Sequence, residues 1–155
     1  MRVRAVASAV AVLTLANAGV ASAAPTKSEF IRKGDALCTD VARQLVPIRQ
    51  RAQAAQALPE SQKWAAAAAI WQAQIAIQKR FNERLRAVGT PAGDSFAPRL
   101  VAGLDRGLVL ARRVHSAFAR RDRAALANAL PAYVEFTLAL NRRVRAYGFR
   151  VCGRT

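Results

Sequence analysis

The chain is poor in the residues on which most metal, haem and nucleophilic chemistry depends. Its 155 residues contain one histidine, two cysteines and one methionine, which is the initiating Met1. There is no Cys-x-x-Cys-His haem attachment, no Glu-x-x-His pair of the kind that holds iron in helical bundles, and no serine elbow or phosphate-binding glycine loop. We therefore predict a non-enzymatic protein with no catalytic residue, no metal and no cofactor.

The single histidine, His115, lies on the apolar side of a predicted helix, between Ala111 and Phe118. A lone imidazole in that setting is usually hydrogen-bonded within or beside a core. No carboxylate motif accompanies it in the sequence. Packing is therefore the expected role of His115, and the alternatives are a metal ligand, a base or a place in a ligand pocket.

Acidic residues are also scarce. Nine Asp and Glu stand against 25 Lys and Arg, which gives a formal net charge of +16. Without residues 1 to 23, which include Arg2 and Arg4, the charge is +14, from 16 minus 2, and the cations are 19 Arg and four Lys. Two explanations fit this composition, the codon bias of a GC-rich genome and selection for anionic partners.

Long apolar runs are confined to the N-terminus, where residues 1 to 23 have the three parts of a secretory signal peptide. Two arginines form the cationic part, residues 5 to 20 are mostly small or apolar, and residues 21 to 23 are an Ala-Ser-Ala cleavage site. The apolar run is short and alanine-rich for a membrane span. No cysteine stands at the cleavage point for lipid attachment. We predict a single mature domain, residues 24 to 155, in the secreted, periplasmic or cell-wall space.

Cys38 and Cys152 are the only cysteines, and both belong to the exported part. In an oxidising compartment, two lone cysteines near opposite ends of a domain most simply form a disulfide bond. A redox-active pair would normally have a Cys-x-x-Cys spacing, which the sequence lacks. We predict a structural disulfide between residues separated by 114 positions, from 152 minus 38.

Strand-like alternation is missing after residue 23, and apolar residues at spacings of three and four in alanine-rich stretches predict helix throughout. Capping residues, glycine and proline divide the chain into four segments. These residues are Thr26 with Glu29, Pro59, Gly89 with Pro91, Asp94 or Ser95, Asp122, and Gly148. Pro47 is expected to kink the first helix. Because the connections are short, we predict an all-α, up-down-up-down antiparallel four-helix bundle.

The predicted disulfide and the predicted topology depend on each other. Cys38 lies in the first helix and Cys152 follows the fourth. The two cysteines meet only if the first and last helices are side by side, as in a closed ring of four helices. We therefore expect the first and fourth helices to be adjacent and antiparallel.

Arginines recur every seven residues along the third helix, over about 31 Å at 1.5 Å per residue. They are Arg99, Arg106, Arg113 and Arg120. On a helical wheel they lie roughly opposite the leucines that face the core. One interpretation is a solvated outer face, and the other is an anion-binding surface whose guanidinium groups bind phosphate or carboxylate. Further arginines that would enlarge this surface are Arg112, Arg121, Arg123, Arg142, Arg143 and Arg145.

Two tryptophans, Trp64 and Trp71, lie one heptad apart on the second helix. Core packing is the ordinary role of large aromatic residues in a bundle. The alternative is a pocket for a small apolar ligand, with Trp64, Trp71, His115 and Tyr133 as its candidate lining residues. On the third helix, Gly103 and Gly107 are expected to let a neighbouring helix approach closely.

The positions of the cysteines resemble those of a protein family. Cys38 follows Ala36 and Leu37 in the first mature helix, and Cys152 ends the sequence Ala-Tyr-Gly-Phe-Arg-Val-Cys that begins at Ala146. In this the chain resembles small exported actinobacterial helical proteins of unassigned function, which have one cysteine in the first mature helix and one at the C-terminus. The resemblance implies a helical bundle with a disulfide between its ends, and it implies no catalytic residue.

Two hypotheses about function follow. The first is a non-enzymatic binding protein of the cell envelope, whose basic surface contacts anionic polymers or lipid headgroups and brings it to the membrane periphery. The second is a carrier of a small apolar ligand within the helical bundle. Nucleic acid suits the charge but not the predicted compartment, so we do not expect it as a partner.

Overall fold

The computed structural model describes residues 23 to 154, and the predicted signal peptide lies outside that range apart from residue 23. Four α-helices make up the described chain: α1 is Lys27–Gln56, α2 is Glu60–Val88, α3 is Phe96–Ala119 and α4 is Arg123–Tyr147. No strand occurs among the described residues. Consecutive helices are joined by short connections and form the predicted antiparallel four-helix bundle.

Side-chain caps begin three of the helices at the places that the sequence predicted. Thr26 and Glu29 form a capping box at the start of α1. The Asp122 carboxylate caps α4. At α3 the capping side chain is Asp94, which accepts hydrogen bonds from the backbone N–H groups of residues 96 and 97 at 2.7 and 2.8 Å. The Ser95 side chain makes no capping bond, so the structure selects Asp94 from the two predicted caps.

The predicted ends of α2 and α4 are confirmed as glycine stops. Gly89 follows α2 with a φ of 77°, and Gly148 follows α4 with a φ of 121°. The Phe149 N–H then donates to the carbonyl of Val144 at 3.4 Å, which gives the expected Schellman ending. In contrast, α1 runs without interruption through Pro47 to its end at Gln56.

The end of α3 uses the same kind of turn without a glycine. Arg121 has a φ of 54°, and the N–H of the next residue, Asp122, donates to the carbonyl of Ala117 at 2.9 Å. A side chain in this left-handed conformation is strained, because its Cβ approaches the backbone. The turn between α3 and α4 therefore carries a small conformational cost.

The main core lies at the end of the bundle where α1 and α3 begin and α2 and α4 end. Its buried residues come from all four helices and from the segment after α4: Phe30, Leu37, Leu85, Ala97, Leu100, Val144, Phe149 and Cys152. A smaller cluster lies nearer the other end and consists of Ile75, Leu108 and Ala111, with Trp71 and Tyr133 packed against it. Most of the apolar burial that stabilises the fold is thus concentrated at one end.

Each helix packs against its neighbour in the sequence, α1 on α2, α2 on α3 and α3 on α4. Helices α3 and α4 pack closely at the two glycines that the sequence singled out. A Cβ at Gly103 would lie 3.3 Å from Leu140, and one at Gly107 would lie 3.3 Å from Phe136. The backbones of α1 and α4 do not pack against each other. The expectation that the first and fourth helices are adjacent is therefore wrong for their backbones. The two helices meet only through side chains at one end, where Lys27 and Phe30 contact Tyr147, and the segment after α4 reaches α1.

The predicted disulfide between Cys38 and Cys152 is confirmed, with the two Cα atoms 5.3 Å apart. A second connection reinforces it. The Asp35 carboxylate, one turn before Cys38 on α1, accepts hydrogen bonds from the backbone N–H groups of residues 150, 151 and 152 at 2.9 to 3.0 Å. In addition, the Phe149 ring lies against Gly34, where a Cβ would come within 2.5 Å of it. The segment after α4 is thus held to α1 by a covalent bond, three hydrogen bonds and an aromatic contact.

Aromatic rings fill the same end of the bundle around Tyr147. The ring stacks on Phe96 with centroids 4.2 Å apart, and the Lys27 ammonium lies 4.3 Å from its centroid. The Tyr147 hydroxyl donates to the Asp94 carboxylate at 2.5 Å. That bond and the two backbone donors of α3 hold the pKa of Asp94 below its ordinary value. Burial and the neighbouring carboxylate raise the pKa of the tyrosine hydroxyl.

Candidate functional site

The four heptad arginines, three on α3 and Arg120 directly after it, all line a groove on the surface between α3 and α4. The groove consists of two adjoining depressions that share Leu110 and Ala132. Arg99 and Arg106 border the first depression, and Arg113 and Arg120 border the second. Arg143 stands on the α4 side of the first. We call this feature, lined by Arg99, Arg106, Arg113, Arg120 and Arg143, the arginine groove.

The position of the groove follows from how α3 and α4 pack. Because Gly103 and Gly107 carry no side chains, α4 lies close to α3 on the flank next to the arginines. Alanines are four of the nine α4 residues in the lining: Ala125, Ala129, Ala132 and Ala139. The arginines are therefore on the α4 flank of α3, where they border a concave surface, and not on the face directly opposite the core as the helical wheel suggested.

The guanidinium groups of the arginine groove are exposed and carry no ion pair within residues 23 to 154. Arg99 donates to the Ser95 hydroxyl at 3.0 Å, and Arg120 donates to the Ser116 hydroxyl at 2.7 Å. These neutral partners hold the side chains in place without cancelling their charge. The one acidic residue in the lining is Glu135. The groove is thus a region of positive potential whose donors still have capacity for an anion.

One of these arginines is also held by an aromatic ring. The Arg106 guanidinium carbon lies 5.6 Å from the centroid of Phe136, which projects from α4 into the lining of the groove. Cation–π contact of this kind favours a guanidinium group lying over the ring face. It leaves the edge N–H groups of the guanidinium available to a phosphate or carboxylate oxygen.

Ion pairs are found instead on the side of α2. Asp40 of α1 pairs with Arg84, and Asp105 of α3 pairs with Arg86. The Arg84 hydrogen bond holds the pKa of the Asp40 carboxyl below its ordinary value. Asp105 is the acidic residue of α3, and its partner is on α2 rather than in the groove. The acidic residues that form ion pairs in the described chain, Asp40, Glu60, Glu83 and Asp105, therefore pair with cations outside the arginine groove.

The residues predicted as a ligand pocket do not lie around one common space. Trp64 packs against Phe118 with ring centroids 5.7 Å apart. Trp71 makes an edge-to-face contact with Tyr133 at 5.0 Å, and burial raises the pKa of that tyrosine. Trp71 also borders a shallow depression between α1 and α2. His115 is half-buried on α3. These aromatic residues pack in two separate pairs, as large aromatics in a bundle ordinarily do.

Sequence reasoning missed the α4 wall of the groove and the anchoring role of Asp35. The sequence predicts Arg143 only as one of several arginines that enlarge the surface. The structure shows that Arg143 lines the groove, whereas Arg145 donates to the carbonyl of Gly153. The repeated alanines of α4 were a signal for a close helix contact. They did not indicate which flank of α3 the contact would use.

Within residues 23 to 154, no cluster of three or more His, Cys, Asp or Glu side chains is placed to hold a metal ion. No helix in the same range is long and apolar enough to cross a membrane. Comparison of the chain with protein-family models, with curated proteins and with solved structures gave no match. The resemblance to small exported actinobacterial proteins therefore stays a prediction.

Proposed function

We propose that this protein is an exported, non-enzymatic binding protein of the cell envelope that binds anionic polymers or lipid headgroups in the arginine groove. The observation that carries the proposal is that all four heptad arginines border one groove, exposed and without ion pairs in the described chain. Arginine suits this role because its planar guanidinium group donates two parallel hydrogen bonds to a phosphate or carboxylate.

The geometry of the groove favours a ligand with several negative charges. Successive arginines are seven residues apart, so their Cα atoms are separated by about 10.5 Å along the helix. At that spacing, each guanidinium group binds a different anionic group rather than sharing one. Binding at several linked positions raises the overall affinity well above that of one contact. A polymer with repeated charges, or a surface of anionic headgroups, provides such an array.

The confirmed disulfide supports the compartment assumed in this proposal. Stable disulfides persist mainly outside the reducing cytosol. The predicted export signal and an envelope ligand agree with that chemistry.

The test compares two triple substitutions that remove the same charge. Arg106→Gln with Arg113→Gln and Arg120→Gln empties the groove of three guanidinium groups. Arg32→Gln with Arg49→Gln and Arg51→Gln removes three exposed arginines of α1 that do not line the groove. Binding to polyphosphate and to phosphatidylglycerol vesicles is measured for both variants and the wild type at rising NaCl concentration.

We expect the groove variant to lose roughly 100-fold in affinity, if each exposed charge-assisted contact contributes about 1 kcal/mol. The α1 variant should lose much less, and wild-type binding should weaken steeply with salt. Equal losses in the two variants would show that net charge alone drives adhesion, as a compositional origin of the arginines implies. Polyphosphate binding without vesicle binding would identify a polymer ligand, and the reverse would identify lipid headgroups.

A further inference from the structure

An apolar pocket lies inside the bundle at the disulfide end, next to the first depression of the arginine groove, with which it shares Leu100 and Leu140. All four helices and the segment after α4 contribute to its lining: Cys38, Val41, Phe81, Leu85, Leu100, Leu104, Leu140, Asn141, Val144, Phe149, Cys152 and Gly153. Its volume is about 150 Å³. We call this space the core pocket. None of the aromatic residues that the sequence suggested for a pocket borders it.

The core pocket exists because the bundle is not closed along its fourth side. The backbones of α1 and α4 do not pack against each other, and residues of both helices line the pocket. The disulfide and Phe149 form the wall near the end of the bundle. That wall is fixed, since the Asp35 carboxylate binds three backbone N–H groups beside it and Phe149 lies against Gly34.

The lining is suited to an apolar molecule and poorly suited to water. Asn141 is the one lining residue with a polar side chain. A buried water normally needs two to four polar partners, so water in most of this space would leave its hydrogen bonds unmade. A cavity of about 150 Å³ with such a lining has room for a single-ring hydrocarbon. Leu104 and Leu140 are only half-buried, which indicates that the pocket communicates with solvent.

We propose that the core pocket is a binding site for a small apolar molecule, a single-ring compound or a short branched alkyl group. The ligand would contact the leucines of α3 and α4 and the wall formed by the disulfide. None of the groove arginines lines this site, although Leu100 and Leu140 border both spaces. The site gives the carrier hypothesis a location different from the tryptophan pairs. A pocket with fixed walls loses little conformational freedom when it binds, which favours binding of even a small ligand.

The experiment uses benzene and xenon as probes on the disulfide-bonded protein. Two variants of α1 carry the same substitution: Val41→Phe fills the core pocket, whereas Val46→Phe changes an exposed valine outside it. The thermal midpoint is measured with and without benzene, and ¹²⁹Xe NMR reports xenon binding. At ten times its Kd, benzene should raise the midpoint of the wild type and of Val46→Phe by about 4 °C. Val41→Phe should show no rise.

Contacts measured by NMR in the wild type keep the test decisive if Val41→Phe does not fold. Benzene protons should show nuclear Overhauser effects to the methyl groups of Val41, Leu104 and Val144, which do not line the groove, and none to Ile75 in the second cluster. Absence of benzene and xenon binding in the folded wild type would overturn the proposal. So would an equal benzene effect in both valine variants, or contacts that fall outside the core pocket. Benzene and xenon binding should be the same in the groove variants as in the wild type, whether or not those variants lose polyanion binding.

Discussion

The two ends of the bundle are held together by different means. At the disulfide end, the segment after α4 is joined to α1 through Cys38–Cys152 and Asp35, and the rings of Phe30, Phe96, Tyr147 and Phe149 pack together. At the opposite end, the helices are connected by short turns, and pairwise aromatic contacts such as Trp64 with Phe118 stand in place of a shared cluster. These long-range connections hold the first and last helices together although the backbones of α1 and α4 do not pack against each other.

The contacts that stabilise the fold and the surface proposed for binding are in different parts of the molecule. The disulfide end contains the main core and the core pocket, so its contacts are chiefly apolar and covalent. The arginine groove instead runs along α3 and α4 and reaches the opposite end at Arg120. Variants at the disulfide end should therefore change stability, whereas variants in the groove should change binding.

The largest effect is expected from removing the disulfide. Replacing Cys38 and Cys152 together by serine removes the covalent closure of a 114-residue loop, so the unfolded chain gains conformational entropy. The free energy of unfolding should fall by about 5 kcal/mol. Urea unfolding of the oxidised wild type and the variant measures the loss. Reduced wild type is the control and should match the variant. A loss below about 1 kcal/mol would mean that the other contacts hold the disulfide end unaided.

The next largest effect is expected at Asp35. Asp35→Ala leaves three backbone N–H groups without their charged acceptor and should cost about 2 to 3 kcal/mol. Hydrogen exchange should also become faster at the amides of residues 150 to 152. The matched control on the same helix is Asp40→Ala, which breaks surface ion pairs and should cost less than about 1 kcal/mol. Unchanged exchange at residues 150 to 152 would contradict the anchoring role.

A stabilising change is expected at the opposite end. Arg121 occupies a left-handed conformation at the end of α3, which glycine adopts without strain. Arg121→Gly should therefore raise the free energy of unfolding by up to about 1 kcal/mol, measured by urea unfolding. Arg120→Gly is the control. Arg120 has a helical φ of −88°, so glycine at this position should lower the free energy of unfolding. Destabilisation by both substitutions would mean that the Arg121 side chain matters more than its backbone strain.

The smallest effect is the acid response of Asp94. Its folded-state pKa lies below the ordinary value of 3.8, so its stabilising effect is complete above that value and disappears as the pH falls through the folded-state pKa. Asp94→Asn keeps the shape but removes the charge. The stability difference between wild type and Asp94→Asn should therefore be constant near neutral pH and shrink in acid, as urea unfolding at a series of pH values would show. A difference that does not change with pH would exclude the charged bond to Tyr147 as its source.

Local features of the fold were predictable because they depend on residues close together in the chain. The capping box of Thr26 and Glu29, the Asp122 cap and the glycine stop at Gly148 each involve residues a few positions apart. The disulfide was predictable for a different reason, since a chain with two cysteines allows one intramolecular pairing. The arginine repeat was also visible in the sequence, although the α4 residues that face it across the groove were not.

The candidate site was only half predictable. The heptad spacing placed four arginines along one flank of α3, but the groove needs a second wall from α4. Which flank that wall occupies depends on the packing of α3 against α4 at Gly103 and Gly107. The bond from Asp35 to residues 150 to 152 spans 115 to 117 positions, and no local pattern marks such a pair.

The sequence by itself determined four helices, their boundaries, one disulfide and a row of arginines, because helix propensity, capping and periodicity act over a few residues. The tertiary structure decided that α1 and α4 stay apart, that the segment after α4 bridges them, and that the arginines border a groove. It also decided the place of the apolar pocket, at the disulfide end and away from the tryptophans. These outcomes depend on how side chains from distant parts of the chain fill the same space, which no single segment specifies.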